Sequence, residues 1–134
     1  MEALTYDAST GILSRFQQLT TLPAGFTGAS SAAEVAVAPS GRFIYGSNRI
    51  SGASGDIVIF SIGRDGRLTL VGHQSTRGQT PRHLSLEPAG RALFVANLDS
   101  RQVVVFRVDA TTGLLTFATQ TDVGMKPYFA GVAR

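Results

Sequence analysis

Four side chains of this sequence carry chemistry that a binding or catalytic site would need: Glu34, Arg49, Arg82 and His83. Glu34 stands within the otherwise apolar stretch Ala32–Ala36, so its carboxylate must find a partner or water. Such a carboxylate can act as a general base that activates water. The arginine guanidinium groups offer planar forks that match a carboxylate or phosphate in two parallel hydrogen bonds. We therefore predict Glu34 and Arg82 as catalytic residues, and Arg49 and His83 as substrate-binding residues.

The same residues have a structural alternative, in which Glu34 and an arginine form an ion pair that holds neighbouring repeats together. Arg82 and His83 are adjacent, so on a regular strand their side chains point to opposite faces. Both line one surface only if the start of the strand is irregular. Otherwise His83 forms a hydrogen bond to a residue of the site without contacting the substrate itself. We interpret the second histidine, His73, as structural.

Other motifs of catalysis or metal binding are missing from the sequence. It contains no G-x-S-x-G elbow and no H-E-x-x-H motif, which argues against the serine-hydrolase and zinc-protease classes. With no cysteine and no D-x-D-x-D-G calcium loop, we expect no metal and no cofactor. Several aspartates fall in predicted turns, where we expect them to accept hydrogen bonds from local backbone N–H groups: Asp7, Asp65, Asp99 and Asp109.

The charge pattern is that of a solvated surface. The net charge of +3 is spread along the chain without a block of like charges, and nucleic-acid binders usually cluster their basic residues. We expect no nucleic-acid partner. The sequence has no apolar run of about 18 residues, the minimum for a membrane-spanning helix, and no secretory signal pattern after Met1. We expect no membrane partner and a cytoplasmic location.

The elements that must position these side chains repeat along the chain. The segment P-S-G-R-F-I-Y-G-S-N at 39–48 returns as P-A-G-R-A-L-F-V-A-N at 88–97. G-D-I-V-I-F, which ends at Phe60, returns as R-Q-V-V-V-F, which ends at Phe106. Turn glycines follow at Gly11, Gly66 and Gly113. The two long segments lie 49 residues apart, and a period of this length is typical of repeat architectures.

Each repeat is predicted to contain four short strands, because β-branched and aromatic runs alternate with Gly, Pro, Asp, Asn and Ser. In the second complete repeat we place these strands at 82–86, 92–97, 102–109 and 114–121. No window shows the apolar stripe of an amphipathic helix. Four strands per repeat of 40 to 50 residues are typical of a β-propeller blade. The predicted fold class is all-β.

The predicted propeller is partial, since a closed ring needs at least about four blades. We assign residues 1–22 to the end of one blade, 32–78 and 80–122 to two complete blades, and 126–133 to a strand that would close the ring. Exposed blade faces and open strand edges should favour self-association.

Three segments resemble one family, the seven-bladed lactonase propellers that include bacterial 6-phosphogluconolactonase and fungal muconate-lactonising enzymes. They are A-A-E-V-A-V-A-P-S-G-R-F-I-Y-G-S-N-R at 32–49, Gly72-His73 together with T-P-R-H at 80–83, and V-A-N-L-D-S-R-Q-V-V-V-F at 95–106. The resemblance covers essentially the whole chain and implies the C-terminal portion of a seven-bladed propeller.

This resemblance implies hydrolysis of a small anionic sugar lactone, with a Glu and Arg pair in the pocket at Glu34 and Arg82. The family often has Asn where this chain has His83, and its proposed acid-base histidine lies in a blade upstream of these residues. An isolated piece of such an enzyme should be inactive. Cycloisomerisation of a muconate is a close variant. V-A-N-L-D-S at 95–100 also resembles the Y-V-T-N repeats of non-enzymatic propellers, so a module that binds a protein or ligand is the alternative.

Overall fold

The structure, a computed structural model, describes residues 1–132 and forms ten β-strands there. The strands are β1 (Glu2–Tyr6), β2 (Leu13–Gln18), β3 (Ser30–Val37), β4 (Phe43–Ile50), β5 (Asp56–Ile62), β6 (Leu68–Ser75), β7 (Pro81–Leu86), β8 (Ala92–Asn97), β9 (Gln102–Val108) and β10 (Leu115–Asp122). The all-β prediction is confirmed. The strands of the second complete repeat begin and end within one residue of their predicted positions.

The strands form three antiparallel sheets in chain order. β1 pairs with β2, β3 to β6 form one four-stranded sheet, and β7 to β10 form another. The two complete sheets, here called the first and second blades, begin at residues 30 and 81. Successive four-stranded meanders of this kind define a partial β-propeller.

The turn glycines repeat in conformation as well as in sequence. Gly66 and Gly113 follow the third strands of the two blades with φ of 77° and 75°. This left-handed region is sterically costly for other residues. A Cβ on Gly113 would also lie 2.4 Å from the Phe43 ring of the first blade. Glycine at 113 is therefore needed both for the turn and for the contact between blades.

The apolar core lies between the sheets. Alternate residues of β5 face opposite neighbours: Ile57 and Ile59 belong to a cluster shared with the second blade, and Val58 and Phe60 to one shared with the β1–β2 sheet. All four are at most 1% exposed. Strand side chains alternate between the two faces, so a central blade with neighbours on both sides buries a continuous apolar run.

Polar bonds between sheets repeat with the same spacing. Asn48 of β4 is equivalent to Asn97 of β8. Its Nδ2 donates to the carbonyl of Thr21, in the segment after β2, at 2.6 Å. Asn97 at the end of β8 donates to the Thr76 carbonyl after β6, at 2.9 Å. Both asparagines are 1% exposed or less. Each one satisfies a carbonyl of the preceding sheet and so fixes the docking of the next.

The segment predicted to close the ring, residues 126–133, is not part of a sheet over 126–132, and Ala133 lies outside the described residues. A strand requires a ladder partner for its backbone N–H and C=O groups. Within residues 1–132 this segment instead runs beside β7. The closing strand stays a prediction.

We predict that the stability of the chain falls at high pH through Tyr45. Burial raises the pKa of the Tyr45 phenol to about 12, and its hydroxyl donates to the Gly113 carbonyl of the second blade at 3.0 Å. The unfolded chain releases this proton near pH 10. The stabilisation is complete below pH 10 and is lost as the pH rises from 10 to about 12.

Urea unfolding between pH 8 and pH 12 measures this effect. The wild type should lose on the order of 1–2 kcal/mol more than Tyr45→Phe over the upper part of that range. Tyr6, which is 65% exposed, provides the control Tyr6→Phe, which should behave as the wild type. Parallel pH profiles for wild type and Tyr45→Phe would contradict the prediction.

We also predict that the isolated chain self-associates through its uncovered blade faces. On the β1–β2 sheet, Leu4, Tyr6 and Leu13 are 44%, 65% and 62% exposed, and apolar patches of this kind favour association. Light scattering after size-exclusion chromatography should report species larger than a monomer. Leu4→Lys with Leu13→Lys should reduce their fraction, and a monodisperse wild-type monomer would refute the prediction.

Candidate functional site

Glu34 and His83 occupy equivalent positions in successive blades and lie side by side. They are 49 residues apart, the same spacing as Pro39 and Pro88 in the repeated segment. Each lies on the first strand of its blade, β3 or β7. His83 Nε2 is 3.8 Å from Glu34 Oε2. The repeat therefore brings a carboxylate and an imidazole together where the first strands of the two blades meet.

Matching irregularities in the two first strands aim these side chains. The β3–β4 register shifts between Ala32 and Val35, so that residues 33 and 34 lie opposite Ser47 alone. The β7–β8 register shifts between Pro81 and His83 and leaves Arg82 as the extra residue. Such β-bulges re-aim side chains and are frequent next to active sites. The start of β7 is thus irregular at Arg82, but no hydrogen bond or ion pair within residues 1–132 joins Arg82 to His83 or Glu34.

Glu34 is only partly shielded from solvent. Its side chain is 36% exposed, its N–H donates to Ser47 Oγ at 3.0 Å, and its Oε1 accepts a 3.2 Å hydrogen bond from the Val35 N–H. Among the described residues, no arginine forms an ion pair with it. The expected pair between Glu34 and an arginine is therefore replaced by the contact with His83, because the equivalent position of the next blade is residue 83 and not 82.

His83 is enclosed more fully than Glu34, and its side chain is 17% exposed. Its Nδ1 accepts a hydrogen bond from the Ala130 N–H at 3.5 Å, and its ring lies 4.4 Å from the Phe129 ring between centroids. An imidazole whose Nδ1 is an acceptor carries its proton on Nε2 when it is neutral. That proton points towards Glu34. At 3.8 Å this contact is too long for a hydrogen bond, so the imidazole lies beside the carboxylate without a direct bond to it.

The two arginines differ in their surroundings. Arg82 is exposed, and in the described part of the chain it forms no ion pair. Arg49 donates from Nη2 to the Ala32 carbonyl at 3.1 Å, whereas its buried Nε has no hydrogen-bond partner within residues 1–132. Arg82 therefore keeps exposed donors for an added anion, whereas the Arg49 Nε is enclosed by the protein.

His73 of β6 pairs with Asp56 of β5 within the first blade, separately from Glu34 and His83. Its Nδ1 is 2.8 Å from Asp56 Oδ2, and the same oxygen accepts a hydrogen bond from Asn48 Nδ2 at 3.2 Å. Asp56 is 7% exposed. This arrangement joins β4, β5 and β6, as expected for a structural histidine.

Three of the four turn aspartates bind local backbone as predicted. Asp7 Oδ1 accepts bonds from the Ser9 hydroxyl and N–H, and these lower the pKa of Asp7 to about 2. Asp65 and Asp109 accept bonds from amides two residues ahead.

Asp99 is the exception among these aspartates. Its carboxylate binds Lys126 Nζ at 2.7 Å and the Thr80 hydroxyl. These bonds, that of Lys126 first, lower the pKa of Asp99. The sequence did not indicate this contact, because it joins parts of the chain that only the fold brings together.

Two contacts of the site were missed by sequence reasoning. Ser47, which receives the Glu34 N–H, aligns with Ala96 of the next repeat. The available signal was that the polar Ser47 is aligned with the apolar Ala96. Phe129 aligns with Glu34 and His83, but nothing in its type predicted the packing against His83.

Residues 1–132 contain no group of three or more His, Cys, Asp and Glu side chains arranged to hold a metal ion. They also contain no helix with the length and apolar composition needed to cross a bilayer.

The propeller class defined by these sheets agrees with comparisons to known proteins. A family model described as "Lactonase, 7-bladed beta-propeller" matches residues 1–130. The 6-phosphogluconolactonase of Pectobacterium carotovorum is 36% identical over 127 residues, which are 94% of this chain and 37% of the relative. That of Formosa agariphila is 46% identical over 85 residues, which are 62% of this chain and 24% of the relative.

Solved structures give the same result. The periplasmic gluconolactonase of Pseudomonas aeruginosa superimposes with a TM-score of 0.85 at 29% identity, over 93% of this chain and 34% of that one. A putative 6-phosphogluconolactonase of Bacteroides fragilis gives 0.82 at 31% identity, over 95% and 34%. The chain belongs to the lactonase family of seven-bladed β-propellers. It spans about a third of the length of these two structures.

We predict that His83 fixes residues 126–130 against β7. Besides the contacts of His83 with Phe129 and Ala130, the Ser85 hydroxyl donates to the Ala130 carbonyl. His83→Ala removes the acceptor of the Ala130 N–H, and hydrogen exchange of that amide should accelerate by about tenfold, the effect of one ordinary hydrogen bond. His73→Ala is the matched control and should leave Ala130 unchanged. Unaltered exchange in His83→Ala would show that the segment is held in another way.

Proposed function

We propose that the protein to which these blades belong hydrolyses a small anionic sugar lactone of the 6-phosphogluconolactone type. The observation that carries this proposal is a partly exposed carboxylate, Glu34, beside the His83 imidazole where the first strands of two blades meet. Arg49 and Arg82 add positive charge that has no carboxylate partner among the described residues. Relatives that bear the name 6-phosphogluconolactonase support the substrate class. The activity belongs to carbohydrate metabolism and needs no cofactor.

In this proposal Glu34 is the general base. Its ionised carboxylate accepts a proton from water as the water oxygen attacks the lactone carbonyl carbon. The partial exposure of Glu34 lets water reach it, and the His83 imidazole lies 3.8 Å away on one side of the carboxylate. His83 is a positioning residue rather than a catalytic one.

The arginines supply positive charge where the reaction develops negative charge. Arg82 would donate to the carbonyl oxygen as it becomes an oxyanion, and hydrogen bonds from a preorganised donor of this kind are a large term in acyl-transfer catalysis. When the tetrahedral intermediate collapses, the bond between the carbonyl carbon and the ring oxygen breaks and the ring oxygen takes up a proton. The acid for that step would come from another blade, as the family resemblance implies.

The compartment is proposed as cytoplasmic. One structural relative is named as periplasmic, so fractionation of cells that express the protein is the direct measurement.

A chimeric propeller tests the site in a complete ring. This chain would replace the matching part of the Pectobacterium carotovorum 6-phosphogluconolactonase, with which it shares 36% identity. We expect the chimera to hydrolyse 6-phosphogluconolactone. Glu34→Ala and Arg82→Ala should each lower kcat/KM by about tenfold or more, with folding retained, because each removes a charge used in the transition state.

The matched control is Arg64→Ala, since Arg64 is an exposed arginine in the turn between β5 and β6, far along the chain from the site residues. It should hydrolyse as fast as the unmodified chimera. Full activity in both Glu34→Ala and Arg82→Ala would refute the site. A folded chimera without any hydrolysis would refute the activity and favour a binding propeller.

A further inference from the structure

The turn between β1 and β2 closely matches the turn between β9 and β10. Residues 7–14 read D-A-S-T-G-I-L-S, and residues 109–116 read D-A-T-T-G-L-L-T. In both turns the aspartate carbonyl accepts the N–H of the glycine four residues later, at 2.7 Å in the first and 2.8 Å in the second. Gly11 and Gly113 have φ of 74° and 75°. The two turns therefore present the same backbone groups.

One of these turns is docked and the other is open. The Gly113 carbonyl accepts a hydrogen bond from the Tyr45 hydroxyl at 3.0 Å, and the two carbonyls after Asp109 each accept one from the Arg42 guanidinium at 3.3 Å. Every residue of the turn at 7–14 is exposed. A Cβ on Gly11 would meet no atom of residues 1–132 within 4 Å. The open turn thus has the acceptors of the docked one.

The strands beside the two turns differ in the same way. Leu4 aligns with Phe106 and Leu13 with Leu115. Phe106 and Leu115 are 0% and 7% exposed because they pack in the core shared with the first blade, whereas Leu4 and Leu13 are 44% and 62% exposed. We call Leu4 together with the turn at 7–14 the front surface. By its equivalence to the docked turn, it fits the face of another blade.

The second blade carries such a face on its far side, on β8 and β9. Four residues there are equivalent to first-blade residues that contact the second blade: Arg91, Phe94, Val103 and Val105. We call these four the back surface. Its three apolar residues are only half-buried, whereas their first-blade equivalents are at most 1% exposed. The Arg91 side chain, equivalent to that of Arg42, is 82% exposed.

Residues 126–130 do not occupy the place that a docked front surface would take. They run beside β7 and correspond to the first strand of a following blade, since Phe129 aligns with Glu34 and His83. β1 and β2 correspond to the third and fourth strands of a blade, because they align with β9 and β10. The position of a second strand stays open between them, and the contact is made by the outer strands.

We propose that the front surface of one copy of this chain docks head to tail on the back surface of a second copy. Leu4 and Leu13 would pack against the apolar residues of the back surface. The Arg91 guanidinium would donate to carbonyls of the turn at 7–14, as Arg42 does to the docked turn. Because the two surfaces differ, the interface is heterologous. The inference does not depend on the proposed hydrolysis.

Complementation between two variants of the full chain tests this direction of docking. Leu4→Lys with Leu13→Lys alters only the front surface, and Phe94→Lys alters only the back surface. In sedimentation equilibrium the wild type should associate, and each variant should self-associate at least about tenfold more weakly, because it places a charge in an apolar contact. An equimolar mixture of the two variants should form a 1:1 heterodimer, since one intact front and one intact back remain.

Arg91→Ala is a milder change at an exposed residue and should weaken self-association about threefold or more, by loss of charge-assisted hydrogen bonds. Arg64→Ala is the matched control and should associate as the wild type. If Phe94→Lys does not fold, as judged by circular dichroism, unchanged association of Arg91→Ala overturns the proposal by itself.

Three further results would also overturn it. Undiminished self-association of folded Phe94→Lys would indicate a contact between two front surfaces. A mixture of the two folded variants that forms no heterodimer would exclude head-to-tail docking. A monomeric wild type would exclude a second copy and leave a preceding blade of a longer chain as the occupant of the front surface.

Discussion

Packing of one blade face against the next is the interaction on which the rest of this structure depends. β5 shows it directly, because Ile57 and Ile59 face the second blade while Val58 and Phe60 face the β1–β2 sheet. Each such side chain contributes about 1.5–3 kcal/mol when it is fully buried. A single blade has no second layer with which to bury either face. The stability of each blade is therefore a property of its neighbours, and the repeating asparagine contacts fix the same docking by polar bonds.

This docking also creates the site. Glu34 and His83 belong to different blades and are 49 residues apart, yet they meet because each occupies the same position on the first strand of its blade. Their side chains depend on the two β-bulges for direction. The hydrogen bond from the Tyr45 hydroxyl to the Gly113 carbonyl also joins the two blades. A change that loosens the blades would therefore disturb the site even if it touches none of the site residues.

The repeat in the sequence was sufficient to predict the fold, since strand composition and turn glycines recur where β3 to β10 form. It also identified positions 34, 83 and 129 as equivalent. The bulges could not be predicted, because a register shift depends on how two strands pair and not on the composition of either. The partner of Glu34 was expected to be an arginine and is His83, because residue 83 and not residue 82 is equivalent to Glu34 in the next blade. The Asp99 contact with Lys126 likewise arises from chain segments that only the tertiary structure brings together.

The distribution of polar groups over the two repeats separates scaffold from chemistry. Positions that perform the same structural task carry the same residue in both blades, as with Asn48 and Asn97 or Gly41 and Gly90. The site is built where the repeats differ: Glu34 aligns with His83, Ser47 with Ala96 and Arg49 with Leu98. An exact repeat would present identical groups on both blades. The departures from it place a carboxylate beside an imidazole where the first strands of the two blades meet. In a protein of this architecture, such mismatches between aligned blades are the positions at which a site should be sought first.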